Sequence, residues 1–384
     1  MVNNSTNEDL LKKYPIIKFI NDIPDPRAQS FHFQHSLVSI IFIVLVTGLC
    51  GANDWVGVVE MAQSMKNWIA QYVPLPHGIP SHDTFGRVFS MICPKQFNKF
   101  LINWSSLLRE INDGQELISF DGKTLCGTAE KALGLKGLHI LNAWSQDNGI
   151  CIGQFKVDDK SNEITAIPQL IKLLDLKNCL VTCDALNTQK NNAKAVIDAQ
   201  ADYVFPVKEN HSGLREDIEL LFKDAIKKDF KGIDADHFET IDKDHGRIEK
   251  RTYHVIDGED LPDRIDWIGL KSLGMVIRER TVNSKTTIEI VYYILSTEIN
   301  AKLFEKATRG HWGVEIFHWK LDVVLREDNS RYRDRIGAQN LAVIRKVTLG
   351  MLSKDKTKKC GLATKRLVAA ADVTYRESIL KKFL

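Results

Sequence analysis

The sequence predicts an α/β protein in which a mixed-sheet core with a β-rich insertion follows an all-helical N-terminal domain. Three observations predict it. Residues 1 to about 95 carry helical spacing and no strand-like run. From Glu116 to Lys208 the texture changes to strand-like apolar runs alternating with helical ones. From Arg309 to Asp328 the pattern returns to a helix, now with a charged face beside an apolar one.

Composition sets the outer limits. A chain of 384 residues with 44% hydrophobic and 26% charged side chains is ordinary for a globular protein with a large core. The net charge of +3 conceals an asymmetry, because Arg331 to Leu384 holds 14 Lys/Arg against 4 Asp/Glu. A basic tail on a near-neutral body suits a polyanion such as DNA. Seven scattered cysteines, an odd number, read as reduced thiols in a cytosolic protein and exclude a disulfide framework or a zinc ribbon. The N-terminus is polar and carries no secretory signal. Leu37 to Ala52 is uncharged, but it falls short of the roughly 20 residues a membrane span needs, so it reads as a buried helix.

In chain order, a short leading helix ends near Pro24 and Pro26, and the buried helix at 37–50 follows. A third helix covers Trp55 to Tyr72, prolines 74, 76 and 80 mark a loop, and Ser81 caps a further helix. Gln96 to Arg109 is a linking helix. Glu116 to Asp121 is then the first strand, and Leu138–Trp144 and Ile150–Val157 form a hairpin about Asp147-Asn-Gly149. A helix opens at Ser161-Asn-Glu163, Asn178 to Asp184 is the next strand, a helix runs from about Thr188 to Gln200, and Ala201 to Lys208 is the fifth strand. This is the order of a ribonuclease-H-like core. Residues 209–300 read as the insertion, with a charged helix and three strands at Arg247–Val255, Lys271–Arg280 and Thr287–Ser296. Residues 301–353 supply the final core helices, and 354–384 the basic tail.

Two strands of this core end in aspartate, Asp121 and Asp184, and Glu315 lies on the returning helix. Three converging carboxylates repel one another unless a cation joins them. Two divalent ions held by oxygen ligands would grip the attacking and leaving oxygens of a phosphodiester. On the 309–328 helix, His311, Glu315, His318 and Asp322 share one face, so zinc held by His311, Glu315 and His318 is the competing reading. Trp312, Ile316, Trp319 and Val323 make an apolar stripe expected to dock on the core, with both tryptophans read as core residues.

The residues around these acids carry a family resemblance. Asp121-Gly-Lys-Thr-Leu, Ala143-Trp-Ser, Lys160-Ser-Asn-Glu-Ile-Thr-Ala-Ile-Pro168, Val181-Thr-Cys-Asp-Ala185, Val207-Lys-Glu-Asn210, His245-Gly-Arg-Ile-Glu249 and His311-Trp-Gly-Val-Glu315 with His318-Trp-Lys-Leu-Asp322 stand in order. Together with Asp25-Pro-Arg27 and Pro80-Ser-His-Asp-Thr-Phe-Gly-Arg-Val-Phe89, they make the chain resemble the IS-As1-type bacterial insertion-sequence transposases, the group that includes the H-repeat-associated proteins. Cys126 stands where arginine is usual, and Ile316 where asparagine usually follows the glutamate; neither change removes a metal ligand.

The resemblance implies a DDE transposase whose Asp121, Asp184 and Glu315 hold two Mg2+ ions, with Mn2+ as a substitute. It implies cutting at the element's terminal inverted repeats in double-stranded DNA, strand transfer into target DNA, a homo-oligomer on DNA, and a cytoplasmic, nucleoid-associated location with no membrane partner. Lys123, Lys208, His245, Arg247, Arg309 and His311 are the expected DNA contacts, by their positions near the acids or on the insertion. The alternatives are an inactive DNA-binding relative, or a nuclease of the same core without strand transfer.

Overall fold

The computed structural model describes residues 15–27, 34–110, 114–158, 162–244, 246–262 and 264–383. The chain is mixed α/β, with a large mixed sheet and many helices, and it divides into two compact units. The first unit comprises Met1–Glu110, Gly122–Asp158 and Ile316–Leu384, and the second Ile111–Asp121 with Asp159–Glu315.

In the first unit, the helices before the sheet among the described residues are α1 (Pro15–Asn21), α2 (Leu37–Leu49), α3 (Trp55–Ser64), α4 (Lys66–Ile69), α5 (His82–Met91) and α6 (Pro94–Leu108). The uncharged 37–52 stretch is the buried helix α2, and no helix among the described residues is long and apolar enough to cross a membrane. The helix expected over 55–72 breaks at Met65 into α3 and α4. Ser81 caps α5 as its sequence signal predicts, accepting a hydrogen bond from the Thr84 amide. The end of β1 (Glu116–Leu125) and the hairpin β2 (Leu138–Ser145)–β3 (Ile150–Lys156) give this unit its strands. Helix α12 (Arg335–Lys354) is buried along most of its length and packs on α2, α5, α6 and β3. Gly350 allows that approach, since a Cβ there would stand 2.7 Å from Trp104 Cη2. The N-terminal helices therefore belong to one compact unit with the hairpin and the C-terminal helices.

Five of the 14 Lys/Arg in the C-terminal stretch are interior. Arg345, Lys346, Lys365, Arg366 and Arg376 are buried. Arg366 donates to the carbonyls of Gly48 at 2.8 Å and Val324 at 2.5 Å, and Lys365 to those of Leu352 and Asp355. Arg376 donates to the Ala369 carbonyl and stacks its guanidinium 4.3 Å above the Trp68 ring. These cations tie α13 (Leu362–Ala371) and α14 (Val373–Phe383) into the unit by satisfying carbonyls, so the residue count overstates what the expected basic tail offers a polyanion. At its centre is Asp355, fully buried, bonded by Thr357 Oγ1 at 2.7 Å and Tyr375 Oη at 2.9 Å, with Lys365 Nζ at 3.7 Å.

The second unit carries the strand order β1-β4-β5-β9-β8-β7-β6, where β4 is Cys179–Thr182, β5 Asp202–Val207, β6 Ala235–Asp244, β7 Arg247–Asp257, β8 Ser272–Val282 and β9 Lys285–Leu295. β1, β4 and β5 are parallel, while β9, β8, β7 and β6 continue the sheet antiparallel. The insertion is thus no separate sheet: β5 pairs with β9 from Val204 opposite Leu295 to Val207 opposite Tyr292. It also has a fourth strand, β6, absent from the sequence reading because its half-charged alternation faces water on most residues.

Helices cover both faces of this sheet. On one, α10 (Ala301–Gly310) seats Phe304 between Tyr253 and Tyr293, and a Cβ on Gly274 would lie 2.5 Å from Phe304 Cζ. On the other, α9 (Ser212–Lys227) stacks Phe222 on Tyr292. Helices α7 (Glu163–Ile171) and α8 (Lys190–Asp198) pack on each other, and α8 on β5.

The helix that carries Glu315, α11 (Trp312–Leu325), corrects one expectation. Its buried face is Val314, Phe317, Leu321 and Leu325, with Phe317 stacked on Trp144 at 4.5 Å. Trp312, Ile316, Trp319 and Val323 are 55%, 51%, 60% and 54% exposed. Both sets recur at three-to-four spacing, but they lie roughly 180° apart on the helix, and only one can face a core. The smaller, more regularly shaped set is the one inside.

Two outcomes test this packing. Gly274→Ala forces Phe304 to shift and should lower stability by about 1–3 kcal/mol in urea unfolding. The bonds from Thr357 and Tyr375 and the charge of Lys365 overcome burial and hold the Asp355 carboxyl at about 2, below its ordinary 3.8. Its contribution is therefore complete above pH 4 and disappears as pH falls through 2. Asp355→Asn should cost about 2 kcal/mol at pH 7, and the gap to the parent protein should close between pH 4 and pH 2.

Candidate active site

Asp121, Asp184 and Glu315 all fall in the second unit. The strand pair β1–β4 sets the first two. Glu116 lies opposite Cys179, Leu117 opposite Leu180, Ile118 opposite Val181 and Ser119 opposite Thr182. Counting two residues on from the last pair reaches Asp121 on one chain segment and Asp184 on the other. Side chains alternate along a strand, so Asp121 continues the face of β1 that bears Ser119, while Asp184 stands two residues past the end of β4. Cys183 takes the opposite direction, is buried, and its thiol is pushed well above the ordinary range by burial and then by the Asp184 charge.

Asp184 is fixed by its own loop. Its Oδ1 accepts the Asn187 amide at 3.0 Å, capping the 3-10 turn Ala185–Asn187. Asn187 in turn donates its side-chain amide to Glu163 Oε2 at 2.7 Å, so a further carboxylate borders the site. Burial raises the Asp184 carboxyl above its ordinary value, the Asn187 bonds pull the other way, and the charges of Glu163 and Asp121 raise it further. Asp121 and Asp184 are thus close enough to repel.

His311 occupies the junction between α10 and α11, one helical turn before Glu315. Its Nδ1 is 3.1 Å from Thr182 Oγ1, and Thr182 Oγ1 is 3.0 Å from Ser119 Oγ. Burial lowers the imidazole's proton affinity, which the Asp121 charge only partly restores, so the ring is neutral at pH 7. A single cavity is bordered by Thr182, Asp184, Lys208, Arg278, His311 and Glu315. The donors gathered here are carboxylate oxygens, the type that hard divalent cations such as Mg2+ or Mn2+ take. Among the described residues, no group of three or more His, Cys, Asp or Glu is placed to hold a metal ion, and this applies to Asp121, Asp184 and Glu315 as to any other set.

Comparison with known proteins identifies the family. Residues 113–351 match the model of the transposase DDE domain, and residues 17–105 match its associated N-terminal model. The chain belongs to the DDE-domain transposases. "Putative transposase YncI" of Escherichia coli O157:H7 is 36% identical over 95% of this chain and 94% of its own. "H repeat-associated putative transposase YhhI" of Escherichia coli K12 is 35% identical over 96% of this chain and 98% of its own. The H-repeat-associated resemblance read from the motifs is therefore shown across nearly the whole length.

The remaining expected site residues of this transposase family member divide into groups. Lys208 follows β5, exposed, at the cavity. Arg309 donates to Asp242 at 2.8 Å, and Arg251 reaches the same carboxylate at 2.8 Å and Glu249 at 2.5 Å. Arg247 stands 3.6 Å from Glu249. These arginines belong to one ion-pair network on β6, β7 and α10. His245 lies outside the described residues, as does the start of the Lys160-Ser-Asn-Glu motif.

Lys123 is placed differently. In the first unit its ammonium lies 2.9 Å from Asp322 and 3.1 Å from Asp328, with Glu327 at 4.0 Å and only 8% of the side chain exposed. Burial opposes the charge, but Glu327, Asp322 and Asp328 outweigh it and raise the amine above its usual value. As placed, this lysine serves the fold rather than a phosphate. His318 meets Asn142 at 3.0 Å in the same unit. The polar face of α11 is therefore shared among separate partners, and the zinc reading of His311, Glu315 and His318 finds no cluster among the described residues.

Glu163, Ser119 and Thr182 were not singled out in the sequence, yet two of them carry a visible signal. Leu117-Ile-Ser-Phe-Asp121 and Leu180-Val-Thr-Cys-Asp184 repeat one pattern, apolar, apolar, hydroxyl, apolar, aspartate. Glu163 has no such signal, since its place depends on how Asn187 folds back.

Removing a buried cation from among three acids leaves uncompensated charge. Lys123→Ala should cost about 3–5 kcal/mol in chemical unfolding, whereas Lys208→Ala, on the surface, should change stability by no more than about 0.5 kcal/mol.

Proposed function

We propose that the chain is an active DDE transposase in which Asp121, Asp184 and Glu315 serve metal-dependent cleavage at element ends and transfer of the freed strands into target DNA. The observation supporting this reading is that Asp121 and Asp184 each stand two residues beyond the paired Ser119 and Thr182, close enough for the Asp121 charge to raise the Asp184 carboxyl, with Glu315 on the cavity that Asp184 borders. That arrangement on a ribonuclease-H-like order of strands is what the chemistry needs. Two Mg2+ ions, when bound, would polarise the phosphodiester and balance charge on the attacking and leaving oxygens.

The chain's own residues do the rest. The three carboxylates present oxygen ligands, and the Asn187 amide keeps Asp184 oriented toward the site. Lys208, exposed at the same cavity, pairs with a DNA phosphate. Neutral His311 has one nitrogen on Thr182 and leaves the other as a hydrogen-bonding group near Asp121. Arg247 and Arg309 contact the DNA backbone from the insertion side, exchanging part of their ion pairs for phosphates. Synapsis of two element ends calls for more than one copy of the chain.

The test uses duplex DNA bearing the inverted repeats that flank the reading frame. Single substitutions Asp121→Ala, Asp184→Ala and Glu315→Ala should each abolish Mg2+-dependent cleavage while end binding in a mobility-shift assay persists. Cleavage by the triple variant would refute the mechanism. Cleavage without strand-transfer products in the parent protein would assign a nuclease instead.

A further inference from the structure

We infer that Ser119, Thr182 and His311 form a second triad, one step behind the three carboxylates, that sets their spacing. This rests on the function proposed above. Each member stands a few residues before one acid in the chain. Ser119 precedes Asp121 by two residues on β1, Thr182 precedes Asp184 by two at the end of β4, and His311 precedes Glu315 by four at the start of α11. Two residues of strand advance roughly 6.6 Å, and four of helix roughly 6 Å. The inner triad thus stands two residues before each aspartate and one helical turn before Glu315.

The inner triad is joined by hydrogen bonds. Ser119 Oγ meets Thr182 Oγ1 at 3.0 Å, and Thr182 Oγ1 meets His311 Nδ1 at 3.1 Å. Ser119 and Thr182 are 0% and 2% exposed, so water does not compete for their hydroxyls. Thr182 is the hub, since a hydroxyl can donate one bond and accept another at once. It ties β1 to β4 in one direction and the β4 end to the α10–α11 junction in the other. The carboxylates repel one another and cannot set their own separation. The neutral triad behind them can.

Thr182 and His311 are on this account positioning residues. Their loss should loosen the metal site without removing a ligand, as outer-shell changes do in metal enzymes at a cost of roughly 10–100-fold in affinity. The geometry also separates two uses of His311. Asparagine can reproduce an imidazole's Nδ1 and glutamine its Nε2. If the Thr182 bond is what counts, His311→Asn retains function and His311→Gln loses it.

The experiment measures Mn2+ affinity of the full chain by electron paramagnetic resonance, beside end cleavage at saturating Mn2+ and thermal unfolding as a check on folding. Thr182→Val should weaken Mn2+ binding by about tenfold or more, Thr182→Ser should restore it, His311→Asn should stay near the parent, and His311→Gln should match Thr182→Val. Parent-like Mn2+ affinity in Thr182→Val, or glutamine rescuing His311 where asparagine fails, would overturn the inference. In a separate arm, Asp121→Ala should abolish both Mn2+ binding and cleavage. If it leaves them intact, the proposed function itself fails, whatever Thr182 does.

Discussion

The register of two parallel strands is the constraint on which the site depends. With Ser119 beside Thr182, Asp121 follows two residues on along β1 and Asp184 two residues past the end of β4. A slip of one residue would turn one aspartate to the far side, because side chains alternate strictly along a strand. Apolar partners secure the register: Leu117 and Leu180 lie opposite each other and share a core cluster with Val204, Leu295 and Phe304. Burial of these residues thus fixes where the charges stand. The electrostatic cost is visible in Asp184, whose carboxyl is raised by burial and by the negative neighbours Glu163 and Asp121.

Charged groups elsewhere in the chain are handled in two contrasting ways. In the first unit, Lys123 is enclosed by Asp322, Glu327 and Asp328, while Lys365, Arg366 and Arg376 satisfy carbonyls. Those cations are spent on the fold, and a basic count along the sequence does not distinguish them from cations in water. In the second unit, Lys208 stays exposed at the cavity, and Arg309 and Arg251 share Asp242 at the surface of the insertion. Paired arginines at a surface remain exchangeable, since an exposed ion pair contributes little on its own.

The sequence was legible where one strong physical preference acted alone. The starts of β1 and β4, the hairpin about Asp147-Asn-Gly149 and the buried helix at 37–49 follow from period and turn chemistry, but the strands do not end at the aspartates, since β1 runs on to Leu125 and β4 stops at Thr182. It was not legible where two preferences were equal. Helix α11 has apolar residues on two opposite sides, and periodicity could not say that Phe317 and Leu321 would be buried while Trp312 and Trp319 stayed outside. Strand β6 was hidden because half its residues are charged and most face solvent. Lys123 looked like a phosphate ligand from its distance to Asp121 in sequence, but its carboxylate partners lie about 200 residues on and leave no local trace. The repeated hydroxyl two places before each aspartate was present in the sequence and needed only the strand register to give it meaning.

On the function proposed above, Asp121, Asp184 and Glu315 would share divalent metal. Anomalous diffraction from crystals grown with Mn2+ and element-end DNA tests it most directly. The account predicts manganese peaks bridged by Asp121 and Asp184, with Glu315 completing the site and metal–oxygen distances of about 2.1 Å. Manganese bound elsewhere, or the three carboxylates turned into separate pockets with the DNA in place, would contradict it.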